Sequence, residues 1–260
     1  LQRVRRYAGY ARATGEVPVH ELVSIRWSSA PTYNHRQGQD ELTPPGDVDV
    51  LKAPRQLFSW VNGAEGKIDL DSFVAIPFAK LYVQNLNAND FLAGGTRLDR
   101  NRTALRGGLG FRARQKLGPA LFKASYEWAT RLPRADEGFG DNQLLAPNLE
   151  LQPERSHNAN LGARLDVKKA GSWRFELDGF VRATEQLIVL LGTEQVLRFQ
   201  NVNDAVSVGV EAAASWSLPQ DVLRISLNTT YFNFRNSSSD GNLGSFNGDR
   251  IPNRRYFFGN

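Results

Sequence analysis

The sequence predicts an all-β protein: part of a large antiparallel up-and-down β-barrel that crosses a membrane with its strands. Three observations predict it. Between residues 153 and 216 apolar and polar side chains alternate with a period of two, in three successive runs of ten or more residues. Such runs match the ~9–11 residues a tilted strand needs to cross a bilayer, not the ~5–6 of an ordinary soluble strand. Short turns and long polar loops also take turns along the chain, as they do at the two ends of an outer-membrane barrel.

The alternation is explicit. Ala159, Leu161, Ala163, Leu165 and Val167 share one face; Asn158, Asn160, Gly162, Arg164 and Asp166 share the other. Trp173, Phe175, Leu177, Gly179 and Val181 oppose Arg174, Glu176, Asp178, Phe180 and Arg182. Val206, Val208, Val210, Ala212, Ala214 and Trp216 oppose Ser207, Gly209, Glu211, Ala213 and Ser215. Successive side chains on a strand point to opposite faces, so each run has one greasy and one hydrophilic side. The charged side suits a wet lumen. Trp173, Trp216 and Tyr231, near run ends, suit a membrane–water boundary. The competing reading is a large soluble β-sandwich with one solvated face.

Composition narrows the classes. No stretch approaches ~18 consecutive apolar residues, so no transmembrane helix is expected; alternation keeps a barrel strand from showing as one. There is no Cys, hence no disulfide or thiolate metal site. His20, His35 and His157 lie too far apart in sequence to read as metal ligands. The formal charge of +5 is interspersed rather than clustered, which argues against a nucleic-acid surface. The chain begins with Leu and contains no Met, so it is expected to be an internal or processed piece of something longer.

In chain order, 3–13 and 19–29 are expected to form a hairpin through TGEVP, with Gly15 and Pro18 as punctuation. Residues 30–55 read as a long loop. Residues 56–62 and 67–86 are strand-like, with Pro77 marking a bulge or a strand start. Residues 102–115 and 120–130 form a hairpin about KLGP, and a second long loop spans 130–153. The three organising runs follow, joined by KKAGS and by an apolar loop tip at 184–198. SLPQD leads to VLRISLNTTYFNF, then a polar loop at 235–250, then RIPNRRYFFGN.

Several of these segments resemble the C-terminal barrel half of TonB-dependent outer-membrane receptors. They are an Arg-x-Pro at 131–133, an Asn…Pro-Glu-Arg-Ser segment at 148–156, Gln-Asn-Val at 200–202, Gly-Val-Glu at 209–211 and Ile-Pro-Asn-Arg at 251–254. Order and spacing agree over roughly 102–260, although the 148–156 motif is two residues longer than its commonest form and Arg255 stands where proline is usual. The resemblance implies a barrel of 22 strands with a plugged lumen. About ten strands would lie in residues 1–260, with the plug domain, the TonB-contacting box and the C-terminal strands outside them.

The candidate ligand- or plug-facing residues are Arg131, Glu154, Arg155, Glu211 and Arg254. Glu154 and Arg155 open a strand beside a long loop. They either fix its entry by charge-assisted hydrogen bonds near the plug or form an exposed pair worth little. Arg131 ends a strand and either reaches the plug or is a solvated loop arginine. Glu211, two residues after Gly209, is expected on the lumen face, where the glycine lets another backbone approach. Arg254 matches a family position with a structural role at most. Arg164, Arg174, Glu176, Asp178 and Arg182 read as a lumen ladder of cross-strand ion pairs.

The function the resemblance implies is active uptake across the outer membrane of a Gram-negative bacterium. The ligand would be scarce, such as a siderophore, vitamin or glycan, and the energy would come from the TonB–ExbB–ExbD complex through an N-terminal segment. No enzyme activity and no cofactor are expected, because no nucleophile–base pair or phosphate-cradling loop is evident; GGLGF at 107–111 sits within a strand. The alternatives are a passive porin-like channel, an outer-membrane enzyme barrel using one of the three histidines, and a soluble carbohydrate-binding β-sandwich.

Overall fold

Each alternating run becomes a strand, and each strand hands its hydrogen-bond ladder to the next. In the computed structural model, which describes residues 2–40, 49, 52–91, 97–140, 144–192, 197–202, 204–219, 222–238, 244–250 and 257–259, the first half holds six main strands. These are β1 (Gln2–Tyr10) with its continuation β2 (Ala13–His20), then β3 (Val23–Asp40), β4 (Arg55–Leu70), β5 (Phe73–Phe91), β6 (Arg97–Leu117) and β7 (Ala120–Arg131). A short helix α1 (Ala135–Phe139) and strand β8 (Leu145–Ala146) follow. Next come β9 (Glu154–Lys168) and β10 (Ser172–Glu185), then a small hairpin of β11 (Ile188–Gly192) and β12 (Leu197–Asn201). Strands β13 (Ala205–Ser217), β14 (Arg224–Asn236) and β15 (Phe257–Gly259) complete the described elements.

Twelve strands make one antiparallel sheet ordered β1-β3-β4-β5-β6-β7-β9-β10-β13-β14-β15, with β2 also on β3. Because β1 and β2 share one place beside β3, the sheet has eleven positions, close to the expected ten. Sequential strands are neighbours throughout, the up-and-down order. The short connections 21–22, 71–72, 118–119 and 169–171 lie at one end of the sheet; the long ones, 132–153 and 186–204 among them, lie at the other.

Register fixes the two faces. Leu177 faces Ala163 and Ala212 across its two ladders, and Val181 faces Ala159 and Val208. No described residue covers this side: Leu161 is 69% exposed, Leu177 56% and Val208 47%. Two aromatic bands bound it. At the turn end the Trp173 ring lies 5.7 Å from Trp216 and 5.9 Å from Phe175. At the loop end Trp128 stacks on His157 at 6.4 Å, and Phe111 and Tyr126 lie 6.4 Å apart. From His157 to Val167, the rung of Trp173, is ten residue steps. At a rise of ~3.3 Å and a tilt of ~45° that spans about 23 Å, the height of the apolar band of an outer-membrane barrel.

Four expectations need correcting. The first hairpin turns at residues 21–22, not at TGEVP: β1 and β2 run in one register along β3, Tyr10 opposite Thr32 and Ala13 opposite Ser29, and the Ala11 N–H bridges the break to Pro31 O at 3.1 Å. Gly15 and Pro18 lie inside β2 because Gly15 makes room for the Trp27 ring and Pro18 sits beside a shift in register. Residues 30–40 belong to β3 rather than to a loop. The tip at 184–198 folds as the β11/β12 hairpin, and β8 adds to β12 in parallel.

Segment 56–100 resolves into β4, β5 and the start of β6, with a two-residue turn at 71–72 in which Asp71 has φ 50°. Pro77 interrupts only the β4 side of β5. Pairing there is recorded at Glu65 with Phe78 and at Ile68 with Ala75, but not between, as expected where a donor is missing.

One measurement checks the assignment of faces. Leu177→Arg, at mid-height on the outward face, is expected to lower unfolding stability in lipid vesicles by about 2–4 kcal/mol, whereas Asn228→Arg on the inward face changes it by less than about 1 kcal/mol. Urea titration followed by tryptophan fluorescence reads both; equal losses would mean the faces are assigned wrongly.

Candidate functional site

The inward face is built for water at one end and for a folded cap at the other. Toward the turns it carries ion pairs: Arg174 Nε to Asp166 at 2.7 Å, Arg164 Nε to Asp166 at 3.0 Å, and Lys123 Nζ to Asp178 at 3.1 Å and to Glu176. The expected ladder is present for Arg164, Arg174, Glu176 and Asp178, with Asp166 and Lys123 as further members. Glu211 lies on this face, opposite Asp178 on β10 and Thr230 on β14. Gly209, two residues before it, leaves the space that the Phe180 ring occupies; a Cβ there would meet the ring at 2.5 Å.

Toward the loops, residues 132–140 fold down onto the inner face. Phe139 and Leu149 pack with Leu57, Leu86 and Ala88 in the buried cluster, so apolar side chains of β4 and β5 point inward here. The carbonyl of Phe139 accepts from Arg55 at 2.8 Å and from Arg36 at 3.4 Å, and Arg36 also donates to Gly140 O. Two buried arginines thus meet the carbonyl end of α1, where positive charge is favoured. Gln84 on β5 donates to Pro133 O at 2.8 Å.

Arg131, the last residue of β7, holds this cap to the wall. Its guanidinium donates to both oxygens of Glu154 at 2.7 and 2.8 Å and to both oxygens of Glu137 at 2.9 and 3.0 Å. Glu137 also accepts the Arg134 N–H at 2.8 Å, and Glu154 accepts the Ile188 N–H at 2.6 Å. One arginine therefore joins the ends of β7 and β9, the helix, and the base of the β11/β12 hairpin. Its bonds to Glu154 raise its pKa above the ordinary arginine value, and burial opposes them. Both carboxylates are nearly buried, with side chains 9–10% exposed.

Two asparagines complete the stitching. Asn148 donates to Phe199 O at 2.7 Å and accepts from Glu150 N–H at 3.1 Å. Asn201 accepts Gln152 N–H at 2.7 Å and donates to Gln152 O at 2.9 Å and Gln186 O at 2.8 Å. Arg102 on β6 donates to Glu150 O and Leu151 O at 2.9 and 3.0 Å.

Of the five candidate residues, the structure brings Arg131 and Glu154 into contact with each other, and Glu154, the first residue of β9, also accepts the Ile188 N–H. Glu211 is separate, on the lumen face. Arg155 lies on the side of β9 opposite to Glu154, over the outward Trp128 ring at 5.3 Å from guanidinium to ring centre. Arg254, with its segment 251–254, lies outside the described residues. Glu137, Arg36 and Arg55 were not singled out from the sequence. The signal for Glu137 was present: a glutamate three residues after Arg134 in a polar stretch can cap a helix. No local pattern marks Arg36 or Arg55, whose partners lie more than eighty residues away.

With this geometry in place, comparison with known proteins identifies the class. Residues 19–260 match the family model described as TonB dependent receptor-like, beta-barrel, and the chain belongs to that family. Its fold is that of a transmembrane outer-membrane-type barrel, of which these strands are part. Similar solved structures include the copper transporter OprC, with a TM-score of 0.73, 16% identity, and coverage of 92% of this chain and 40% of that one. The Serratia marcescens hemophore receptor HasR gives 0.64, 14%, 89% and 42%. The Neisseria meningitidis iron transporter FrpB gives 0.66, 13%, 90% and 37%. The chain thus spans about two-fifths of the length of these structures. No curated protein matches the chain by sequence.

Removing one member of a buried ion pair costs ~3–5 kcal/mol, and the lower end applies here because the Arg131 side chain is 37% exposed. Arg131→Gln is therefore expected to speed amide exchange at Ile188 and across 134–140 together by about a hundredfold. Hydrogen-exchange mass spectrometry checks this; acceleration confined to 134–140 would show that Arg131 does not hold the hairpin.

Proposed function

We propose that the protein is an outer-membrane receptor of a Gram-negative bacterium that takes up a scarce ligand by TonB-coupled transport. The observation that carries this reading is the cap. Residues 132–140, clamped by Arg131 and held by Gln84, give the loop end of the inner face a shaped, pre-organised surface of the kind a receptor needs to hold a ligand before import. The family supplies the energy coupling, through the TonB–ExbB–ExbD complex acting on an N-terminal segment and a plug domain outside residues 1–260. Similar structures carry the names of copper, iron and hemophore receptors, and a metal or metal chelate heads the ligands to test here.

The lumen ion pairs at Lys123, Arg164 and Arg174, with Glu211 beside them, suit contact with the plug rather than chemistry on a substrate. Two of the three histidines have other work: His157 Nδ1 is 2.7 Å from the Tyr126 hydroxyl on the outward face, and His20 Nδ1 accepts the Leu22 N–H at a turn, 3.3 Å away. The uncovered outward face argues against the soluble sandwich.

Uptake of ferric chelates, copper and haem by cells producing the protein, measured by elemental analysis with and without TonB, tests the proposal. Accumulation of at least one of them is expected to depend on both TonB and the proton gradient. Accumulation equal in the strain lacking TonB would identify a passive channel instead.

A further inference from the structure

Between the cap and the wall of β1, β3 and β5 lies a cleft of about 610 Å³, within the ~300–1,000 Å³ of small-molecule sites. Its lining includes Arg6, Arg36 and Arg134, with the neutral hydrogen-bonding groups of Asn34 and Tyr82 beside them. Arg6 and Arg36 stand directly opposite each other on the β1–β3 ladder. Arg36 points inward, to the carbonyls of α1, so Arg6, its register partner, shares the inward face. Arg36 is engaged there, so Arg6 is the guanidinium of this rung that faces the cleft with room to meet an anion.

The other charges facing the cleft do not cancel this. Arg131 also lines it, but its fork is already engaged by Glu137 and Glu154. Asp136 is the one carboxylate in the described lining, and it sits beside Arg134 on the exposed turn of the helix. The side chains of Arg6 and Arg134 are exposed and carry no ion pair among the described residues. Two exposed guanidiniums in one lining, Arg6 from β1 and Arg134 from the cap, make a fork-lined cleft suited to the planar, multi-oxygen groups that arginine binds in a bidentate way.

We propose that this cleft binds a small polyanion through its carboxylate or phosphate oxygens, with Arg6 on the wall and Arg134 on the cap as its two clamps. The proposal deepens the uptake reading by giving the ligand a charge. It also gives the cap a purpose, because the cap carries one of the clamps.

The test uses the protein reconstituted in phosphatidylcholine vesicles, so that no anionic lipid competes, and reads binding of a pyrenetrisulfonate dye by fluorescence anisotropy. Citrate and tripolyphosphate are expected to displace the dye, and neutral maltotriose is not. The variant carrying Arg6→Glu and Arg134→Glu is expected to lose about tenfold or more in affinity, and the one carrying Arg6→Lys and Arg134→Lys less. Arg224→Glu, on β14 at the turn end, is expected to leave affinity unchanged. Heat-modifiable migration in detergent gels confirms that each variant is folded. Affinity unchanged by the double charge reversal, or displacement by maltotriose equal to that by citrate, would overturn the site. The dye assay needs no energy source, so the two readings fail separately. Charge-sensitive binding without TonB-dependent uptake would support the cleft and overturn the transport proposal. TonB-dependent uptake with dye affinity indifferent to Arg6 and Arg134 would overturn the cleft alone.

Discussion

A chain that crosses hydrocarbon must satisfy every backbone N–H and C=O within itself, and everything else in this protein follows from that constraint. Strands meet it only by lying side by side, which explains why eleven ladder positions run on without a crossover. Side chains then have no freedom to choose a face. A residue at an odd place on the ladder meets lipid and its neighbour meets water, so Leu177 and Asp178 have different solvents although they are adjacent in sequence. The aromatic bands at Trp173 and at Trp128 mark where the first solvent ends.

The same rule shapes the loop end. Beyond the second aromatic band backbone groups can reach water, so the chain there folds by side-chain chemistry instead. Arg131 is central because one planar cation can satisfy two carboxylates on different segments at once. Burying Glu137 and Glu154 without it would leave two charges uncompensated. Arg36 and Arg55 repeat the device with neutral carbonyls, so the carbonyl end of the small helix is held by strands distant in sequence, while Glu137 caps its other end locally. The insert is thereby seated by polar contacts around a small greasy cluster.

The sequence was legible where one face was lipid and the other water. Runs such as Ala159 to Val167 and Val206 to Trp216 show that contrast, and their strands, faces and turns came through. It was illegible where the contrast fails. On β5, Phe78, Tyr82 and Leu86 are inward-facing and apolar because glycine on β6 and the cap cover them; Gly110, for one, lies so close to Phe78 that a Cβ would meet the ring at 2.6 Å. Both faces are then greasy and the period of two disappears. The first turn was misplaced for a different reason. Gly15 and Pro18 look like turn residues, yet the glycine answers to the bulk of Trp27 across the ladder, a contact with no trace in the local sequence. Of the site, Arg131 and Glu154 could be singled out singly, but their meeting could not, because it depends on β7 and β9 being neighbours despite twenty-two intervening residues.

The β11/β12 hairpin is tied at its base through Ile188 and Asn201, and farther out along β12 through Phe199 and through the parallel contact of Leu197 and Arg198 with β8. A change of length within β12 would therefore shift Phe199 and Asn201 against Asn148 and Gln152, and so be felt in the segment that seats Leu149 beside Phe139.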